Sequence, residues 1–209
     1  MISVLSDMVG NCFKTVSHYC YFPSFRLSFT DQINRSKDHM GNKKYYANAD
    51  NVVKVVTNIV IGAAMLIFAL NVLSSSVSTD IAPPILFLMF PLIILTWAIH
   101  PVYYVITQTS IKVKMPFGSI EYPLYLVEDV RPIHASELGF RFRLFASGGL
   151  FGYLGLYHSA KIGQFVMWCT NQEELIMITC RGKKIIISPS DSSAFYYDYL
   201  AKRNGKNVI

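Results

Sequence analysis

Charge is what this chain has least of. Only 15 % of its 209 residues are Asp, Glu, Lys or Arg, against 52 % apolar residues and a mean hydropathy of +0.34. That balance is too greasy for an ordinary water-soluble chain. The net charge of +6 divides into +3 over residues 1–54, −1 over residues 74–80 and +4 over residues 100–209. So dilute a charge, with no basic run interleaved with stacking aromatics, excludes a nucleic-acid partner. Four cysteines, Cys12, Cys20, Cys169 and Cys180, make neither a CxxC pair nor a metal spacing with histidine. Cys169 and Cys180 read as small buried hydrophobes on the reducing side rather than as a disulfide.

The motifs of catalysis are missing as well. His18, His39, His100, His134 and His158 include no HExxH, and no Ser or Cys sits in a nucleophile elbow. The stretch GGLFGYLGLYHS meets neither the GxxxxGK[ST] phosphate loop nor the dinucleotide fingerprint. Glu128 with Asp129, and Glu173 with Glu174, are adjacent carboxylates that would point to opposite sides of a strand or sit in a turn, so they read as solvated charge. No catalytic residue, metal site or cofactor is expected.

What the chain does have is two uncharged apolar runs of nineteen residues, Val55–Leu73 and Ile81–Ile99, separated by seven residues. A helix crosses about 30 Å of hydrocarbon with roughly 20 apolar residues. Each run holds eleven Ile, Leu, Phe or Val residues, worth roughly −3 to −7 kcal/mol on an insertion scale. Basic residues flank the pair at Lys43, Lys44, Lys54, Lys112 and Lys114 and are absent between the runs. That asymmetry predicts a transmembrane hairpin with both ends cytoplasmic. Asp50 and Asn51 suit a helix cap, and Pro83 with Pro84 suits a first turn. Pro91 should kink the second helix, while Trp97, Tyr103 and Tyr104 suit the inner interface.

Residues 1–39 show neither periodicity nor the layout of a signal peptide. The sequence from Met40 through Gly41, Asn42, Lys43 and Lys44 would be a natural start, so the expectation is that translation begins there. The domain organisation is then an N-terminal cytoplasmic segment over 1–50, the hairpin over 51–101 and a β-rich domain over 102–205.

That last part breaks into short β-like pieces between turn signals. Strands are predicted at Tyr103–Thr107, Ser110–Met115, Ser119–Tyr122, Val127–Ile133, Phe165–Thr170, Leu175–Thr179 and Lys184–Ser188. Pro132 points to an edge or bulge, and residues between the fourth and fifth strands read as an irregular glycine-rich stretch. A closing helix is announced by Ser190 and Asp191 and ended by Lys202, Arg203 and Gly205. Phe195 with Tyr199, and Tyr196 with Leu200, lie on one face at i, i+4 spacing.

The order of YYVIT, PFGSIEYPL, EDVRPI, FASGGLFGYLG, IGQFVMWCTN and GKKIIISPSD resembles the bacterial PH-domain family, in its membrane-anchored type with a two-helix hairpin ahead of the barrel. The likeness spans roughly residues 50–200. It implies an α+β chain in which the hairpin precedes a PH-like β-barrel of about seven antiparallel strands with a C-terminal helix, in a non-enzymatic role.

Phosphoinositide-binding PH domains use basic residues across the first hairpin, whereas here Glu121 stands where positive charge is needed, so no specific phosphoinositide is expected. Lys112 and Lys114 are candidate lipid-headgroup contacts facing the anionic leaflet. Leu150, Phe151, Tyr153, Leu154 and Tyr157 leave two readings open: a bent connection that finishes the core, or an exposed apolar loop that meets the membrane or a partner. Arg141 and Arg143 could share a strand face and bind an anion, but nearby Glu137 favours an ion pair. The expected function is a membrane-anchored binding or scaffold module at the inner face of the cytoplasmic membrane. Its partners are the lipid bilayer and either a second copy or another membrane protein, with a small subunit of a membrane enzyme or transporter complex as the alternative.

Overall fold

The computed structural model describes residues 26–27, 43–73 and 82–204. The expectations for residues 1–25 and 28–42, for the loop at 74–80 and for Gly205 lie outside them, as do Cys12, Cys20, His18 and His39. Two helices come first, α1 (Asn51–Leu73) and α2 (Ala82–Ile99), packed against each other. Asp50 caps α1 as expected, its Oδ1 accepting the Val53 N–H at 2.7 Å. Pro83 and Pro84 lie in the first turn of α2, and Pro91 lies inside it. Asn51–Leu70 forms a 20-residue span of mean hydropathy 2.2, long and apolar enough to cross a membrane; Phe87–Ile99 is a shorter apolar helix.

The remainder is sheet-rich. A five-stranded sheet runs β1 (Arg26–Leu27), β5 (Gly118–Pro123), β4 (Ser110–Lys114), β3 (Tyr103–Ile106), β2 (Lys44–Tyr46). A six-stranded sheet runs β6 (Val127–Ile133), β10 (Leu175–Cys180), β11 (Lys183–Ile187), β9 (Gly163–Cys169), β8 (Tyr153–Ser159), β7 (Arg141–Gly148). A single helical turn, α3 (Ala135–Leu138), joins β6 to β7, and α4 (Ser192–Asn204) closes the chain. The expected strands appear within a residue or two of their predicted bounds, and Pro132 does lie on an edge strand.

Three features differ from expectation. The glycine-rich stretch is a regular hairpin, β7–β8, whose register shifts at a bulge between Arg143 and Phe145. Gly155, opposite Ala146 just beyond that bulge, holds φ +114°, and a Cβ there would stand 2.3 Å from the Phe145 carbonyl oxygen, so only glycine fits. The domain also is not wholly antiparallel: β9 pairs with β11 in parallel, Val166 opposite Ile185. Lastly, Lys44–Tyr46, placed by sequence in a separate N-terminal segment, is a strand of the five-stranded sheet paired with β3, Tyr45 opposite Tyr104.

Burial explains why the six-stranded sheet is so apolar. Along β9, Val166 and Trp168 face a core shared with the five-stranded sheet and α4, while Phe165, Met167 and Cys169 face a second cluster on the other side. Sheets buried on both faces read as continuous apolar runs rather than alternating ones. The first core gathers Tyr104, Ile111, Val113, Ile120, Ile178, Phe195 and Tyr199. Tyr104, fully buried, donates to the Trp168 carbonyl at 2.6 Å. Asp191 caps α4 by accepting the Ala194 N–H at 2.8 Å, and Phe195 meets Tyr45 edge-on at 5.1 Å. Cys169 and Cys180 are free and buried, and burial pushes both thiols up, as suits small hydrophobes.

Because Tyr45 is 2 % exposed and fills the core from before the helices, Tyr45→Ala should cost about 3 kcal/mol or more, read by denaturant titration of the barrel. Burial, with Asp198 adding to it, raises the Tyr45 hydroxyl from 10.0 to about 12, and burial raises Tyr157 equally against the pull of Arg143 and Arg141. A folded-state value above the unfolded one means that the contribution is fully present below pH 10 and is lost as pH rises through about 12. Alkaline unfolding should therefore coincide with tyrosine ionisation in that window, as followed by ultraviolet absorbance.

Candidate functional site

The candidate site is organised around the place where α1 meets the six-stranded sheet. Asp50 ends a segment tied down throughout by backbone pairing: Ala47 N–H donates to Val102 O at 3.0 Å, Ser190 N–H to Tyr46 O at 2.9 Å and Asp50 N–H to Thr170 O at 2.9 Å. Thr170 Oγ1 in turn donates to Asn48 O at 3.0 Å. While one Asp50 oxygen caps α1, the other accepts the Tyr153 hydroxyl at 3.2 Å. One carboxylate therefore fixes both the start of α1 and the start of β8.

The tip of the β7–β8 hairpin grips α1 one turn further on. Thr57 Oγ1 donates to Gly149 O at 3.3 Å and accepts the Phe151 N–H at 3.0 Å. Phe151 holds φ +57°, a left-handed conformation costly for a bulky residue. Its ring lies 5.9 Å from that of His100 at the end of α2, so both helices touch the tip. Between them is a cavity of about 380 Å³ lined by Val53, Lys54, Asn58, His100 and Phe151 among others.

This geometry divides the loop proposed from sequence. Tyr153, Leu154 and Tyr157 are buried at 7, 1 and 4 % exposure, so they finish the two cores and are not an exposed surface. They lie on β8, where alternate residues face opposite sides of a sheet covered on both. Leu150 and Phe151 are half-buried, Phe151 against Thr57 of α1 and His100 at the end of α2. The exposed apolar side chains are instead on the edge strand β7 and just before it: Phe140, Phe142, Leu144 and Phe145, 52–76 % exposed. Their visible sequence signal was the FRFRLF alternation of large apolar and basic residues.

The lysines fare differently. Lys112 stands directly across from Glu121 and pairs with it at 3.1 Å, so the carboxylate that argues against a phosphoinositide also engages this candidate headgroup contact. Lys114 is half-buried on the same strand, across from Tyr103 and Ser119. Glu137 pairs with Arg131 at 3.4 Å and accepts the His134 N–H, boxing the start of α3. It is not the partner of Arg141 or Arg143. Among the described residues no group of His, Cys, Asp and Glu is arranged to hold a metal.

The chain is α+β, with a sheet-rich C-terminal domain followed by a C-terminal helix. Residues 102–203 match the family model for the bacterial PH domain, which supports that family for the sheet-rich part. No curated protein and no solved structure matches the chain. The matched span begins after both helices and so omits strand β2, which the structure pairs with β3 in the five-stranded sheet.

Replacing Asp50 by Ala removes a helix cap and one of the hydrogen-bond partners of the Tyr153 hydroxyl, with an expected cost of about 1–2 kcal/mol. Tyr153→Phe alone should cost about 1 kcal/mol. Since the two share a hydrogen bond, the double variant should lose less than the sum of the single ones in a denaturation cycle. Full additivity would show that the contact carries no energy.

Proposed function

We propose that the chain is a membrane-anchored, non-enzymatic PH-like binding or scaffold module, held by a two-helix hairpin at the inner face of the cytoplasmic membrane. The PH-like match supports the binding-module part. The observation that carries the anchoring is how little the helices bury. Only 11 % of the α1 window is buried, leaving Ile59, Met65, Leu66 and Leu70 57–65 % exposed, and α2 presents Phe87 and Leu88 at 85 and 73 %. Apolar side chains so exposed along two adjacent apolar helices suit a hydrocarbon surrounding. At about 1.5 Å per residue α1 spans about 35 Å and α2 about 27 Å, close to the thickness of a hydrocarbon core.

Polar contacts between helix and barrel involve residues up to Thr57, whereas the more distal part of α1 is apolar. In this reading the barrel sits directly against the inner leaflet, with Trp97 and Phe117, their rings 5.5 Å apart, at headgroup level. The partners are the bilayer and a second copy or another membrane protein, met at the apolar β7 edge, whose outer backbone has no neighbouring strand among the described residues.

Labelling at an introduced cysteine tests the topology, in a chain whose Cys12 and Cys20 are replaced by serine and whose remaining Cys169 and Cys180 are buried, the unsubstituted parent serving as the unlabelled control. An S76C variant should react with an impermeant maleimide from the outer side, and a K183C variant only after the membrane is opened. Release of the protein by alkaline carbonate, or the reverse labelling pattern, would sink the proposal.

A further inference from the structure

The geometry points to an anion site on the barrel, formed by Arg141 and Arg143 above the second core, that takes a phosphomonoester group. The two residues are two apart on β7, opposite Ser159 and Tyr157, and so share the face that looks onto the second core. They line a cavity of about 250 Å³ whose other walls include Phe140, Tyr153, Tyr157, Met167 and Gln172. A cavity of that size holds a phosphate with part of the group that carries it.

The charge in this cavity is uncompensated. Arg141 donates to the Gln172 side-chain oxygen at 2.6 Å, a neutral acceptor that orients the guanidinium without neutralising it. Among the described residues neither arginine has a carboxylate partner: the ion pairs there join Lys112 with Glu121, Arg131 with Glu137 and Lys202 with Asp198. Asp50, which meets this group through Tyr153, already accepts the Val53 N–H and the Tyr153 hydroxyl. The Tyr157 hydroxyl is likewise committed to Ser147 O at 2.8 Å. The free donors are therefore the guanidinium forks, whose planar geometry suits bidentate phosphate contacts. Two positive charges match the −1.5 to −2 of a phosphomonoester at pH 7, where a single carboxylate would leave one unmatched.

Gly148 shapes the site. A Cβ there would lie 2.2 Å from Arg143 Cζ, so the absence of a side chain is what lets the guanidinium lie across the end of β7. This site is on the six-stranded sheet, away from the first hairpin of the barrel where Glu121 stands, and its chemistry does not depend on how the helices are housed.

The test uses the full chain in neutral detergent and calorimetric titration with two probes, inorganic phosphate and dihexanoyl phosphatidic acid. Saturable binding of either supports the site: phosphate alone sufficing identifies a free phosphate group, and binding of only the lipid identifies a headgroup. Arg143→Gln, at an exposed position, should weaken that binding at least about tenfold. Gly148→Ala, which keeps both charges and shifts only the guanidinium, should weaken it severalfold, while Lys183→Gln at a distant exposed position should leave it unchanged. No saturable binding of either probe, or equal loss in the Lys183→Gln variant, overturns the proposal.

Discussion

A sheet that is apolar on both faces has to be covered on both, and the rest of this structure follows from that requirement. Phe165, Met167, Cys169, Met177 and Ile186 lie on the face of the six-stranded sheet away from the shared core. Left open, they would expose an apolar surface larger than a soluble domain tolerates. The covering comes from short pieces: Leu138 on the single-turn helix after β6, and Ala49 and Val53 where α1 begins. Helix and barrel are therefore not two bodies on a tether. The first turn of α1 is part of the barrel's second core, and Asp50 stands at the joint.

The same requirement sets a direction. Rigid attachment at Asp50, Thr57 and His100 leaves little freedom for the barrel to turn about the helices, because each contact involves a different element: β8, the hairpin tip and the end of α2. A flexible linker would cost an interaction partner orientational entropy that a fixed mount removes in advance. For a module whose edge strand carries Phe142, Leu144 and Phe145 into solvent, fixed presentation favours one approach geometry.

Much of the barrel was legible in the sequence because its strands announce themselves by β-branched runs between good turns, as in Lys183–Ile187 after the Arg181–Gly182 turn, both residues at positive φ. The closing helix was legible for the same local reason, through Asp191 and the Phe195–Tyr199 pair. The β7–β8 hairpin was not, since glycines at Gly148, Gly149, Gly152 and Gly155 hide a strand pattern whose bulge and tight tip need them. Nor was β2: three residues, KYY, carry no period, and their pairing with β3 spans the whole helical hairpin in sequence. In the candidate site, sequence proximity pointed Glu137 at Arg141 and Arg143. The α3 turn instead aims that carboxylate back at Arg131 and at the His134 backbone.

That redirection has an electrostatic result. With Glu137 used to close its own helical turn, the face of β7 above the second core keeps two guanidinium groups that, among the described residues, have no carboxylate partner. Gln172, which orients Arg141, is two residues beyond Thr170, and Thr170 accepts the Asp50 N–H through its carbonyl. Tyr153 lines the arginine cavity with its ring and holds Asp50 with its hydroxyl. The charged cavity and the cap of α1 thus share Tyr153 as a common wall.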